Sequence, residues 1–151
     1  NLFPHLSIAD NAGLGLSPAL RLTPEQREKV LSALSRVGLD GMADRLPATL
    51  SGGQQSRVAL ARALIMRRPI LLLDEAFGAL GPAMKDDMLG LLESILDETS
   101  ATVLMVTHEP ADARLLCPLT VAVAGGLAAA PVPTEALFAN PPEALAEYLG
   151  K

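Results

Sequence analysis

Residues 50–75 leave the chain little choice of local structure. Ser51 stands where a helix N-cap belongs, and Gln54 follows at capping-box spacing, so that each side chain can accept the other's backbone N–H. Gly52 and Gly53 fall in the first turn, where each costs on the order of 1 kcal/mol relative to Ala. Helix stability alone would not place them there. Without Cβ atoms, the N–H groups of that turn are open to an approaching anion, and the helix dipole adds partial positive charge at the same point. Pro69 stops the helix, and residues 70–73 form a continuous apolar run of the kind expected for a strand buried on both faces. Asp74 and Glu75 end that run. Carboxylates at the C-terminal end of a buried parallel strand lie where open α/β sheets bind ligands. Neighbours on a strand point to opposite sides, which leaves the two acids free for different tasks. On the residues alone, an ordinary capped helix and a solvated acidic turn remain alternatives to a phosphate site.

The flanking sequence builds around this unit. Residues 1–22 read as a loop punctuated by Pro4, Gly13, Gly15 and Pro18, with Ser7 placed to cap a short helix through Ala12. Thr23-Pro24-Glu25-Gln26 is a stronger helix start, with cap, N1 proline and capping-box Gln in order. Val30, Leu31, Leu34 and Val37 mark its apolar face, and Gly38 suits its end. Asp40 starts a further short turn that Pro47 ends. Beyond Glu75, a turn over residues 76–81 leads to Pro82 and a helix whose Met84, Met88, Leu91, Leu92 and Ile95 have core-facing spacing. Residues 102–107 are a second buried strand, and the strand–helix–strand order predicts a right-handed crossover that brings Asp74 and His108 to one sheet edge. A helix over 110–116, a strand over 119–124, a hairpin at Gly125-Gly126 returning through Ala130, and helices over 134–139 and 142–149 complete the chain.

The run LSGGQQSRVALARALIMRRPILLLDEA, residues 50–76, resembles the signature motif and Walker B segment of the ATP-binding cassette (ABC) ATPases. The resemblance implies an α/β fold: a partial P-loop NTPase with a parallel β-sheet core flanked by helices and a small helical subdomain. It implies three regions: residues 1–50 as the helical subdomain leading into the signature, 51–124 as the core with Walker B, D-loop and H-loop, and 125–151 as a C-terminal hairpin and helices. It further implies that Ser51, Gly52, Gly53 and Gln54 contact ATP bound to the opposite subunit, and that Asp74 holds Mg²⁺ through water. Glu75 matches the catalytic glutamate that polarises the attacking water. His108, in Met105-Val106-Thr107-His108-Glu109, matches the switch histidine that reaches the γ-phosphate. Without the motif, a histidine after a strand is more often a surface or N-cap residue. The implied partners are a second copy, paired head to tail around ATP, and transmembrane permease subunits that dock on the region of residues 1–46. A periplasmic or extracellular substrate-binding protein acts indirectly, and the implied location is the cytoplasmic face of the inner membrane, peripherally. The opening residues 1–11, with Gly13-Leu14-Gly15-Leu16, resemble ATP-binding subunits of bacterial importers, most closely those for thiamine; importers for iron, sulfate and polyamines share much of the pattern.

Three departures from the family pattern stand out. Ala76 replaces the usual proline, and the D-loop reads Gly78-Ala79-Leu80-Gly81, with glycine where the family has aspartate. No G-x-x-x-x-G-K-[ST] phosphate loop occurs in the 151 residues. The expectation is therefore a portion of a longer protein, without the P-loop strand and the N-terminal β-subdomain and inactive alone. A degenerate, non-catalytic cassette serving as an interaction module is the alternative. Half the residues are apolar and 19% are charged, which places the chain among globular proteins. A net charge of −5 argues against nucleic acid as a partner, and hence against a DNA-repair or translation ATPase. Cys117 is the single cysteine, so no disulfide forms within the chain.

Overall fold

The computed structural model describes residues 2–78 and 80–150; Asn1, the D-loop residue Ala79 and Lys151 lie outside the described residues. The chain divides into two compact units, Asn1–Val106 and Thr107–Lys151. The α/β architecture expected from the sequence is present, with a parallel strand pair and a layer of helices.

In the first unit, α1 (Ile8–Gly13) is capped by Ser7, whose Oγ accepts the Asp10 N–H at 3.0 Å. Asn11 is fully buried and satisfied: its Oδ1 accepts from the Phe3 N–H at 2.7 Å, and its Nδ2 donates to the Phe3, Leu6 and Ser7 carbonyls. Both halves of the Thr23–Gln26 capping box form at the start of α2 (Pro24–Arg36). Gly38, at φ +71°, ends that helix in a left-handed turn: its N–H reaches the Ser35 carbonyl and the Leu39 N–H the Leu34 carbonyl. After a 3-10 turn at Pro47–Thr49 comes α3 (Gly52–Met66), against which α1, α2 and α4 (Pro82–Thr99) all pack. Ile8, Ala12, Val30, Ala33, Leu34, Val37, Leu39, Val58, Ala61, Met88, Leu89, Leu92 and Ile95 are buried there.

The strands β1 (Ile70–Asp74) and β2 (Thr102–Val106) pair in parallel, from Ile70 opposite Thr102 to Asp74 opposite Val106. Burial on both faces, expected from the apolar runs, is not what they show. Ile70, Leu72, Leu104 and Val106 are 54–70% exposed, while the alternate residues are half-buried. Only one face of this two-stranded sheet is packed within the described residues. Two core assignments also change. Leu31 is half exposed and Ala33 takes its place on the buried face of α2; Met84 stands outside the core, where Leu89 is buried instead.

The second unit holds α5 (Pro110–Leu116), α6 (Thr134–Ala139), α7 (Glu143–Tyr148) and four two-residue strands. The single strand expected over 119–124 is divided between β3 (Leu119–Thr120) and β4 (Val123–Ala124). β4 pairs with β5 (Leu127–Ala128) across Gly125 and Gly126, both at positive φ, as a tight hairpin turn requires. β3 pairs instead with β6 (Val132–Pro133). The return strand is shorter than expected, although the Ala129 N–H still reaches the Ala122 carbonyl at 2.9 Å. Among the described residues, no helix is long and apolar enough to cross a membrane.

Ser100 closes α4 at φ +52°, with its N–H on the Leu96 carbonyl at 2.8 Å. A left-handed backbone strains any residue with a Cβ, and glycine is the usual occupant of this position. Ser100→Gly is expected to raise stability by up to about 1 kcal/mol, the strain relief exceeding the added entropy of the unfolded chain. Urea unfolding checks it; a lower midpoint would show that the serine side chain stabilises the turn.

Candidate functional site

The N-terminus of α3 is built as the sequence predicts. Ser51 takes an extended backbone, φ −66° and ψ 160°, and its Oγ accepts the Gln54 N–H at 3.3 Å. Gln54 Oε1 accepts the Ser51 N–H at 3.0 Å, so both halves of the capping box are closed. The two glycines differ, however. A Cβ on Gly52 would meet nothing within 4 Å, whereas one on Gly53 would meet the Met84 side chain. Gly52 thus provides the open face expected of both, and Gly53 is buried. A side chain there would have to displace the Met84 thioether.

Two further residues hold this turn that sequence reading passed over. Gln55 Nε2 donates to the Pro47 carbonyl at 3.1 Å and to the Leu50 carbonyl at 3.4 Å, fixing the 3-10 turn that leads into the cap. Arg57 Nη1 donates to the Val37 carbonyl at 2.9 Å, tying α3 to the end of α2. A polar residue directly after a capping box, on the face turned toward the preceding loop, was the available signal for Gln55.

Asp74 is the last residue of β1, opposite Val106, and is exposed. The Glu75 N–H extends the ladder by one bond, to the Val106 carbonyl at 2.9 Å. Its own backbone then turns left-handed, at φ +45°, and its side chain is exposed. A non-glycine residue there carries strain of about 1–2 kcal/mol. Nothing in the sequence announces that conformation. The chain continues through a tight turn, in which the Gly78 N–H meets the Glu75 carbonyl and the Leu80 N–H meets the Phe77 carbonyl, with Phe77 buried beneath. Gly81 is the N-cap of α4 and offers no side-chain bond; Pro82 occupies N1.

In the second unit, Thr107 Oγ1 donates to the buried Asp112 carboxylate at 3.0 Å and accepts the Glu109 N–H at 3.0 Å. His108 lies between these bonds with its imidazole about half exposed, Nε2 standing 3.9 Å from Glu109 Oε1. Its carbonyl accepts from Tyr148 Oη at 2.7 Å, so α7 pins the backbone that presents the ring. Thr107, Asp112 and Tyr148 carry no motif of their own and emerge only from the geometry. Among the described residues, no three His, Cys, Asp or Glu side chains cluster as a metal site.

The sequence profile of the ABC transporter family matches residues 1–78, more than half of the chain. The chain belongs to the ABC transporter family. Among curated relatives of this ABC chain, a thiamine import ATP-binding protein of Cereibacter sphaeroides is 61% identical, the alignment covering 99% of this chain and 65% of the relative. Those of Ruegeria sp. and Brucella abortus are 55% and 52% identical, covering 99% and 100% of this chain and 65% and 63% of the relatives. The chain therefore spans just under two thirds of the length of the relatives it matches. Among solved structures, an ATP-binding cassette determined as a dimer, in a post-hydrolysis state bound to ADP and Pi, superposes with a TM-score of 0.75 at 33% identity. That superposition covers 89% of this chain and 59% of the other. The fold of this ABC chain is that of a partial P-loop NTPase.

Burial pushes the Cys117 thiol up, and the negative charge of Asp112 adds to the shift. A raised thiol holds less thiolate at pH 8 and reacts slowly. Asp112→Asn is expected to quicken alkylation of Cys117, by less than about tenfold because that gain needs a whole pK unit and burial is the larger cause. Alkylation rates of the two proteins decide it, and an unchanged rate would remove the carboxylate from the account.

Proposed function

We propose that the intact protein hydrolyses ATP to drive a bacterial ABC importer, with thiamine as the cargo. This reading rests above all on the signature turn, where a closed capping box fixes the start of α3 and the space beside Gly52 is open. The fixed donors and the helix dipole suit an anionic phosphate. Ser51, Gly52, Gly53 and Gln54 would contact ATP bound by a second copy arranged head to tail. Support for such a pair comes from the dimeric cassette that this chain resembles.

Hydrolysis needs positioning, charge neutralisation and a group that orients water. Glu75 orients the attacking water and takes its proton, and His108 donates toward the γ-phosphate. Asp74, exposed at the end of β1, would hold through water a Mg²⁺ bound chiefly by the phosphates. When bound, that ion neutralises charge on the phosphates. The helical layer of residues 1–46 meets the permease, and the substrate-binding protein acts through the permease. The protein works peripherally at the cytoplasmic face of the membrane. Thiamine is favoured over iron, sulfate or polyamine because the relatives at 52–61% identity are thiamine import ATP-binding proteins. The division of labour follows the regions 1–50, 51–124 and 125–151.

One observation favours a second reading, a non-catalytic interaction module. Gly81 caps α4 without a side-chain bond where the family has aspartate. In the intact protein, Glu75→Gln should leave nucleotide binding nearly unchanged and cut hydrolysis by roughly 10²-fold or more, as loss of a positioned base does. Equal turnover by wild type and variant would strip Glu75 of its role, and no turnover in either would favour the module.

The 151-residue chain by itself carries no phosphate loop and is expected to bind ATP weakly. Titration calorimetry tests this directly; dissociation constants below about 1 μM, some 8 kcal/mol of binding, would mean that the signature turn supplies far more affinity than a helix N-terminus provides.

A further inference from the structure

The first turn of α4 lies against the first turn of α3, and one side chain makes that contact tight. A methyl group placed on the buried Gly53 would lie 1.9 Å from Met84 Sδ and 2.9 Å from its Cγ. Met84 belongs to no core: it is 39% exposed, whereas Met88, one turn on, is fully buried. Asp87, three residues after Met84 and on the same face of α4, places Oδ2 3.9 Å from Arg57 Nη2. Two of the contacts between α4 and α3 are a thioether on the first turn and a carboxylate further along. The second is long and exposed, the kind of pair that contributes little. The first bears directly on backbone, where any displacement moves the N–H groups beside it.

We propose that Met84 is a positioning residue for the signature motif. Its thioether, seated on the Cβ-less face of Gly53, fixes the N–H groups of the first turn of α3. An unbranched thioether suits this place because it fills a shallow, irregular gap against backbone. Leucine has similar bulk, whereas alanine leaves the gap open. The kinetic consequence rests on the nucleotide reading above; the contact itself does not.

The experiment uses the intact protein and the variants Met84→Ala, Met84→Leu, Gly53→Ala and the pair Gly53→Ala with Met84→Ala. Thermal unfolding and amide hydrogen exchange require no nucleotide. Met84→Ala is expected to speed exchange at residues 52–55 while the rest of α3 is unchanged, and Met84→Leu to restore it. Gly53→Ala should melt below the pair Gly53→Ala with Met84→Ala, because only in the pair is the added methyl clear of the thioether. In ATPase assays, Met84→Ala should lower kcat roughly ten- to a hundredfold through misplaced donors. Nucleotide affinity of the separated subunits should not change, and Met84→Leu should stay within about twofold of wild type. Additive losses in the double variant, or exchange and kcat untouched in Met84→Ala, overturn the proposal. A turn loosened by Met84→Ala in a protein that hydrolyses no nucleotide even as wild type would leave the contact standing and refute the nucleotide reading instead.

Discussion

The reciprocal hydrogen bonds between Ser51 and Gln54 decide where α3 begins, and the rest of the first unit is placed by that helix. Each α-helix of the unit packs on it, and Arg57, in its second turn, secures the end of α2. A cap is usually a modest contributor to stability, about 1 kcal/mol. Here its larger consequence is positional. It sets the rotation of α3 about its axis, and so which apolar residues face α1 and α2 and which N–H groups stay uncovered.

What could be read from the sequence was what local chemistry dictates. The caps at Ser7, Thr23 and Ser51, the glycine end of α2 and the proline starts of α2 and α4 all stand where the residues put them. Spacing alone erred where burial depends on what else is present. The runs of β1 and β2 have the composition of fully buried strands, yet only one face is packed among the described residues. Leu31 and Met84 fit a helical stripe by period, but a period cannot say how far along a helix the core extends.

The residues proposed for the site could be nominated from their motif, whereas their supports could not. Asp74, Glu75 and His108 were identifiable from their order along the chain. Thr107, Asp112 and Tyr148 support the backbone around His108, and Gln55 the turn before α3, through hydrogen bonds between residues 2 to 40 positions apart. Such bonds leave no periodicity, so a sequence without aligned relatives gives no means to find them. The two signature glycines illustrate the same limit: identical in sequence, one faces open space and the other a neighbouring side chain.

The left-handed backbone at Glu75 sets two demands against each other. Its conformation suits glycine or asparagine, while the role proposed for it calls for a carboxylate. A laboratory screen that rewarded heat resistance alone would therefore drift toward glycine or asparagine at this position and discard the acid without registering a loss. On the role proposed for Glu75, only a screen that also scored turnover would retain glutamate, which makes position 75 a place where selection for durability and selection for chemistry part company.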